Sequence, residues 1–151
     1  MTLKDTKPGD AVVVIKILGE KYDEIKVVDD QVGSPTYTVD LAKTICDVIE
    51  SDKYGIYHTS NTGYCSCAEF ASYILKDTKT KVIPVTTEEY YRPKYEDAKA
   101  KGIELHIAER PFNSKLDKMK LVKNGFNALP EWHDAVDRYK VELETEKVLK
   151  K

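Results

Sequence analysis

The stretch Val27 to Ile45, VVDDQVGSPTYTVDLAKTI, limits what this chain can become more than any other. β-Branched residues run into Asp29-Asp30, and Gly33 and Pro35 then break the run. A helical pattern starts at once, with Thr38 placed as its N-cap and Asp40 in its first turn. A strand that hands over to a helix through a polar, glycine-bearing loop belongs to an α/β fold. It also presents side chains and backbone N–H groups at the carboxyl end of a strand, where open α/β sheets bind ligands.

The remaining pattern agrees with that class. Ile25 to Val28 reads as a strand. Val39 to Ser51 reads as a helix with an apolar stripe of Val39, Ala42, Cys46 and Ile49. Gly55 to Thr59 reads as a short strand. Ser66 and Glu69 make a capping box for the next helix, whose buried face is Phe70, Ala71, Tyr73, Ile74 and Leu75. Lys81 to Val85 is a further strand. Tyr90 to Lys101 is a charged helix, its start delayed by Arg92-Pro93 and its end marked by Gly102. Ile103 to Ile107 reads as a short strand, and Ser114 to Lys123 as a short helix stopped at Asn124-Gly125. Pro130 falls in the first turn of a last helix striped by Trp132, Ala135, Val136, Tyr139 and Leu143. Ala11 to Leu18, AVVVIKIL, fits a strand by propensity and a helix by position. At 151 residues the expectation is one α/β domain over 11–143, a flexible N-terminus over 1–10 and a charged tail over 144–151.

Charge narrows the function classes. The net charge of −2 gives no pull toward nucleic acid or an anionic membrane, and neither is expected as a partner. No apolar run reaches the roughly 20 residues that span a bilayer, and MTLKDTKPGD does not read as a signal peptide. Cys46, Cys65 and Cys67 are an odd set, which suits free thiols in a reducing cytoplasm. Cys65-x-Cys67 has no second pair, and His58, His106 and His133 lack ligand spacing to it, so no metal site is expected. Small residues at a helix start are the better reading.

Several segments, taken in order, resemble the dTDP-4-dehydrorhamnose reductase family of extended short-chain dehydrogenase/reductases. They are Asp30-Gln31-Val32-Gly33-Ser34-Pro35-Thr36-Tyr37 with Asp40-Leu41-Ala42, then Ile56-Tyr57-His58, then Cys65 to Ala71. Val82 to Tyr90, Arg110-Pro111-Phe112-Asn113-Ser114-Lys115-Leu116-Asp117 and Leu129-Pro130-Glu131-Trp132 continue the series. The likeness covers roughly residues 12 to 143 and only the C-terminal, substrate-binding half of such an enzyme. It implies a small mixed α/β domain, a few short strands flanked by helices, without the Rossmann nucleotide-binding half. It implies a helix at Ala11 to Leu18, and it makes residues 91–107 an insertion. The activity it implies for the full-length family is NADPH-dependent reduction of dTDP-4-dehydro-L-rhamnose to dTDP-L-rhamnose, for polysaccharide synthesis.

The residues needed for that chemistry are not evident in this sequence. A reductase of this kind needs a glycine-rich turn to admit the cofactor pyrophosphate. None of the 7 glycines forms one. It also needs a Tyr–Lys pair four residues apart on a helix, where Lys makes the phenol a usable acid. Tyr22/Lys26, Tyr90/Lys94 and Tyr95/Lys99 have the spacing, but chance supplies about one or two such matches in a chain so rich in Tyr and Lys. The first straddles a helix break, the second contains Pro93 and the third lies in the apparent insertion. No catalytic residue and no cofactor bound by this chain is therefore expected, with NADPH implied only for the full-length family.

The candidate substrate-binding residues are Gln31, Gly33, Thr36 and Arg110. Gln31 and Thr36 can hydrogen-bond a ligand, and Gly33 permits close backbone approach. An ordinary strand-to-helix turn is the competing reading. Arg110 offers a planar fork to a diphosphate, against a surface ion pair with an acid such as Glu109. Trp132, at helical spacing, reads as core. The expected partners are a dTDP-sugar and a separate or missing Rossmann half, with self-association through the face that half would cover. A non-catalytic nucleotide- or protein-binding module is the alternative, and a truncated gene product the third reading.

Overall fold

A computed structural model of the protein describes residues 10–149. Positions 1–9 of the expected flexible N-terminus and the last two of the expected tail lie outside the described residues. In chain order the elements are α1 (Ala11–Lys21), β1 (Glu24–Val28), β2 (Val32–Gly33), α2 (Thr38–Ile49), β3 (Asn61–Thr62), β4 (Cys65–Ser66) and α3 (Cys67–Ile74). Then come β5 (Lys81–Val85), α4 (Thr87–Ala100), α5 (Met119–Lys123), β6 (Leu129–Glu131) and α6 (Trp132–Leu149). This is the mixed α/β architecture with few short strands that the sequence implies. The chain divides into two compact units, one formed by the chain up to Val32 with Ser66–Asn113, the other by Gly33–Cys65 with Ser114 onward.

The first unit is built on a parallel pair, β1 against β5, in register from Glu24↔Lys81 to Val28↔Val85. Pro84 lies opposite Val27 in β5, and a strand with β1 as its one named partner tolerates the missing N–H. Helix α3 covers the pair. Its start is fixed by the expected capping box: Ser66 Oγ accepts from the Glu69 N–H at 3.0 Å, and Glu69 Oε2 accepts from the Ser66 N–H at 2.7 Å. Ala71, Ile74 and Leu75 are buried below it with Val12, Ile25, Val28 and Ala98. Ala11–Lys21 is a helix, as the family resemblance implies, capped by Asp10, whose carboxylate accepts from the Val13 N–H at 3.1 Å. Gly19 faces Leu75 there, and a Cβ on it would stand 2.5 Å from Leu75 Cδ2, so a larger residue would require that side chain to shift.

The second unit is organised around a shorter parallel pair, β3 against β6, with Asn61↔Leu129 and an irregularity before Thr62↔Glu131. Leu121, Leu129, Trp132, Ala135 and Val136 fill its core, so Trp132 is a core residue as expected. Gly63 follows β3 at φ +87°, and a Cβ there would meet Glu131 Oε1 at 2.7 Å and Trp132 Cδ1 at 2.8 Å. Both the backbone and the space therefore require glycine.

Several expectations are corrected. Gly55 to Thr59 and Ile103 to Ile107 form no strand; Ile56 is 79% exposed and Ile103 57%, so these apolar side chains are not drawn into a core. Helix α4 begins earlier than Tyr90, because Thr86 and Glu89 complete a second capping box, and Pro93 sits inside the helix rather than at its start. Residues 114–118 are not helical, and α5 is confined to Met119–Lys123. Pro130 belongs to β6, and the last helix starts after it. Thr38 is the first helical residue of α2 rather than its cap; Tyr37 holds the cap position without a side-chain cap bond. The stripe Val39, Ala42, Cys46, Ile49 faces outward, and Thr44 is the buried residue of α2. The helix is amphipathic, but α2 places its core contacts on the side opposite the stripe.

Candidate ligand-binding site

In the first unit the carboxyl end of β1 carries two carboxylates in defined roles. Asp29 extends the ladder through its N–H to Val85 O at 2.9 Å, and its Oδ1 accepts from Ser66 Oγ at 2.5 Å. Asp30 receives the Thr87 N–H on Oδ2 at 2.9 Å and the Thr87 hydroxyl on Oδ1 at 2.6 Å. These two bonds at the start of α4 hold the Asp30 carboxyl below its usual range, against a smaller opposing effect of burial. Gln31 joins this cluster by donating from Nε2 to Thr87 Oγ1 at 2.9 Å. Among the described residues its amide oxygen has no partner and is available to a ligand.

Arg110 is exposed and makes no ion pair with a described residue, Glu109 included. The segment it opens runs beside Val32, whose N–H donates to Phe112 O at 2.9 Å. Partial burial pushes the Cys67 thiol up; the Arg110 charge draws it down and Asp30 pushes it up, which places Arg110, Cys67 and Asp30 within one electrostatic neighbourhood. The structure thus brings Gln31 and Arg110 to the same end of the first unit. Cys65 is buried and Cys67 exposed, both as free thiols, and among the described residues no group of metal-ligating side chains forms.

Gly33 and Thr36 lie in the second unit. Residues 33–37 are an ordered loop with four named supports. Ser34 Oγ donates to Gly63 O at 2.7 Å. The Tyr37 N–H donates to Asn61 Oδ1 at 2.7 Å, and Asn61 Nδ2 donates onward to Asp40 Oδ2 at 2.8 Å and Pro130 O at 3.0 Å. The Tyr37 hydroxyl donates to Glu142 of α6, and its ring lies 5.5 Å from that of Tyr139. Burial first, then the hydrogen bond to Glu142 and after it the Glu142 charge, push the Tyr37 phenol up to about 12. The loop is held by buried polar groups while Thr36 itself stays exposed. Gly33 comes no closer to its neighbours than a Cβ would allow, its nearest being Ser114 Cβ at 3.6 Å, so packing within the chain does not demand a glycine there.

Three residues that hold or border this loop were not singled out from the sequence. Asn61 is fully buried, Arg138 grips Asp40 from α6, and Lys118 donates to Asn61 O at 2.8 Å beside Ser34. Arg138 carried one signal, being one of only three arginines in a lysine-rich chain.

The Tyr–Lys pairs do not form an acid site. Tyr22 caps the end of α1 while Lys26 lies in β1. Lys94 places its ammonium over the ring faces of Tyr90 and Tyr91, at 4.5 and 4.9 Å from their centroids. Tyr95 and Lys99 are on the exposed side of α4. NADPH finds no fitting cradle among the described residues. No glycine-rich turn leads there from a strand into a helix, and the first N–H groups of α4 already serve Asp30 and Thr86.

A family model described as the RmlD substrate binding domain matches residues 3–145. The Bacillus subtilis spore coat polysaccharide biosynthesis protein SpsK is 45% identical over 93 residues, 58% of this chain and 32% of that protein. The dTDP-4-dehydrorhamnose reductase of Sinorhizobium fredii is 29% identical over 134 residues, 80% of this chain and 40% of that one. Two solved dTDP-4-dehydrorhamnose reductases share the fold. The Bacillus anthracis enzyme, in complex with NADP, has TM-score 0.75 and 37% identity, covering 91% of this chain and 44% of its own. The Clostridium acetobutylicum one has TM-score 0.77 and 34% identity, covering 93% and 45%. The chain therefore spans less than half the length of these relatives. Since the family match takes in all but the first two and last six residues, this chain belongs to the RmlD substrate binding domain family.

Proposed function

We propose that this chain is the dTDP-sugar-binding part of a system like dTDP-4-dehydrorhamnose reductase, and that it does not reduce substrate on its own. The match to a substrate binding domain over residues 3–145 carries this reading. The candidate contacts of the second unit are Gly33 and Thr36, on its ordered loop. Those of the first unit are Gln31, whose free amide oxygen can accept a hydrogen bond, and Arg110, whose fork suits a phosphate. NADPH would supply hydride from sequence outside this chain, because these residues offer it neither a cradle nor an acid. Three free thiols suit work in the cytoplasm, and among the described residues no helix is long and apolar enough to cross a membrane.

Two assays test this. Saturating dTDP raises the melting temperature, and ADP at the same concentration raises it less; equal shifts contradict a thymidine-nucleotide site. NADPH with dTDP-4-dehydro-L-rhamnose gives no loss of NADPH absorbance with this chain alone, and turnover there would overturn the claim of inactivity.

A further inference from the structure

We propose that Lys118, with Lys115 and the Tyr64 ring, forms a phosphoryl-binding subsite in the second unit. The inference goes beyond the nucleotide reading and does not rest on it.

The Lys118 ammonium is half-buried. It donates to Asn61 O at 2.8 Å, approaches Ser34 Oγ at 3.4 Å and lies 4.8 Å from the centre of the Tyr64 ring. Every one of these partners is neutral. No carboxylate among the described residues pairs with it. The adjacent acid, Asp117, is turned away to accept the Met119 N–H at 2.8 Å. Burial without a compensating charge draws the ammonium below the usual lysine range. A second cation comes to the same ring, Lys115 Nζ at 5.4 Å from its centre. The ring is fixed by its hydroxyl, which donates to Leu116 O at 3.0 Å, yet Tyr64 stays 43% exposed.

Desolvating a charge is costly unless an opposite charge answers it. An anion beside the Lys118 ammonium removes that cost. An ammonium has three donors. Lys118 commits one to Asn61 O and one, weakly, to Ser34, which leaves one for a ligand oxygen. A tetrahedral phosphoryl group has the charge and the acceptors to take it. The phosphoryl could come from free phosphate or from the diphosphate of a nucleotide.

The test is calorimetric titration of inorganic pyrophosphate, dTDP and thymidine, at low salt, into the whole chain and its Lys118→Met, Lys118→Arg and Lys53→Met variants. The expected result is saturable pyrophosphate binding that weakens at least tenfold in Lys118→Met, is kept by Lys118→Arg and is unchanged in Lys53→Met, whose ammonium is spent on Asn124 O. Absence of saturable pyrophosphate binding, or equal affinity in Lys118→Met, overturns the subsite. Should Lys118→Met not fold, the Tyr64 ring protons of the unaltered chain decide by NMR: a saturable shift with pyrophosphate supports the subsite and none overturns it. A parallel loss of dTDP binding in Lys118→Met identifies the nucleotide diphosphate as the natural source, and loss for pyrophosphate alone identifies the free anion. Pyrophosphate binding with no preference for dTDP over ADP would defeat the nucleotide reading and leave the subsite standing. dTDP binding that ignores Lys118, with no pyrophosphate binding, would do the reverse.

Discussion

Arg138 holds Asp40 with both terminal nitrogens, Nη1 to Oδ1 at 2.9 Å and Nη2 to Oδ2 at 2.7 Å. The same guanidinium gives its Nε to Asp134 at 2.8 Å and lies 5.2 Å from the centre of the Tyr37 ring. One side chain of α6 therefore fixes the first turn of α2 and the residue that ends the candidate loop. The Asp40 carboxylate is mostly buried, at 10% exposure, so removing its partner strands a charge.

Replacing Arg138 with Met should cost about 2 kcal/mol of stability, below the range for fully buried pairs because the guanidinium is partly exposed. Urea unfolding at neutral pH measures it. The hydrogen bonds from Arg138 hold the Asp40 carboxyl below the usual carboxylate range, against the opposing effect of burial. A carboxyl lowered on folding adds stability above its unfolded value, and that stability is lost as pH falls through the folded one. The loss between neutral pH and about pH 3 should thus be smaller in Asp40→Asn than in the unaltered chain. An identical acid limb would show that the pair contributes nothing.

Tyr37 should be the late-titrating tyrosine. Its phenol is pushed up to about 12, by burial first and then by Glu142. A phenol raised on folding keeps its full contribution below pH 10 and loses it as pH rises from 10 toward 12. Absorbance at about 295 nm should show a component near 12 that Tyr37→Phe removes and Glu142→Gln moves down. Persistence of that component in Tyr37→Phe would assign it elsewhere.

Asn61 should matter to stability far more than Thr36. The Asn61 amide is fully buried and makes three bonds, so Asn61→Ala strands the Tyr37 N–H and Pro130 O and takes one of two donors from Asp40 Oδ2, at a cost of about 3 kcal/mol. Thr36→Ala, at an exposed position, should stay within about 0.5 kcal/mol while weakening dTDP binding severalfold. A Thr36→Ala variant that loses stability but not affinity would make the loop an ordinary turn.

The outward stripe of α2 gives a contrast that denaturation can read. Ile49 is 76% exposed and Ile74 1%. Ile49→Lys should fall within about 0.5 kcal/mol of the unaltered chain, and Ile74→Ala should cost about 3 kcal/mol. A large penalty at Ile49 would mean that α2 covers this face in solution.

Where local chemistry decides an element, the sequence could be read. The Ser66–Glu69 box fixes α3 and the β-branched run fixes β5, and both are where the residues put them. Ala11 to Leu18 shows the opposite: β-branched side chains favour a strand, yet the segment is a helix capped by Asp10, with Val12 buried in the core. The stripe of α2 could be detected but its direction could not, because nothing local says which side meets the core. Residues 33–37 were legible as a candidate loop from Gly33 and Pro35. Their supports were not: Asn61, Lys118 and Arg138 are 24 to 101 positions from the loop residues they hold or touch, and no spacing rule links them. At α4 the Thr86–Glu89 box sets the start, and the helix accommodates Pro93 in its interior.

The most direct measurement is calorimetric titration of dTDP into the whole chain, with ADP as the control ligand and Arg110→Ala as the control variant. The account predicts saturable binding of dTDP, much weaker binding of ADP, and a loss of about tenfold in dTDP affinity in Arg110→Ala. No binding at millimolar dTDP, or equal binding of the two nucleotides, would contradict it.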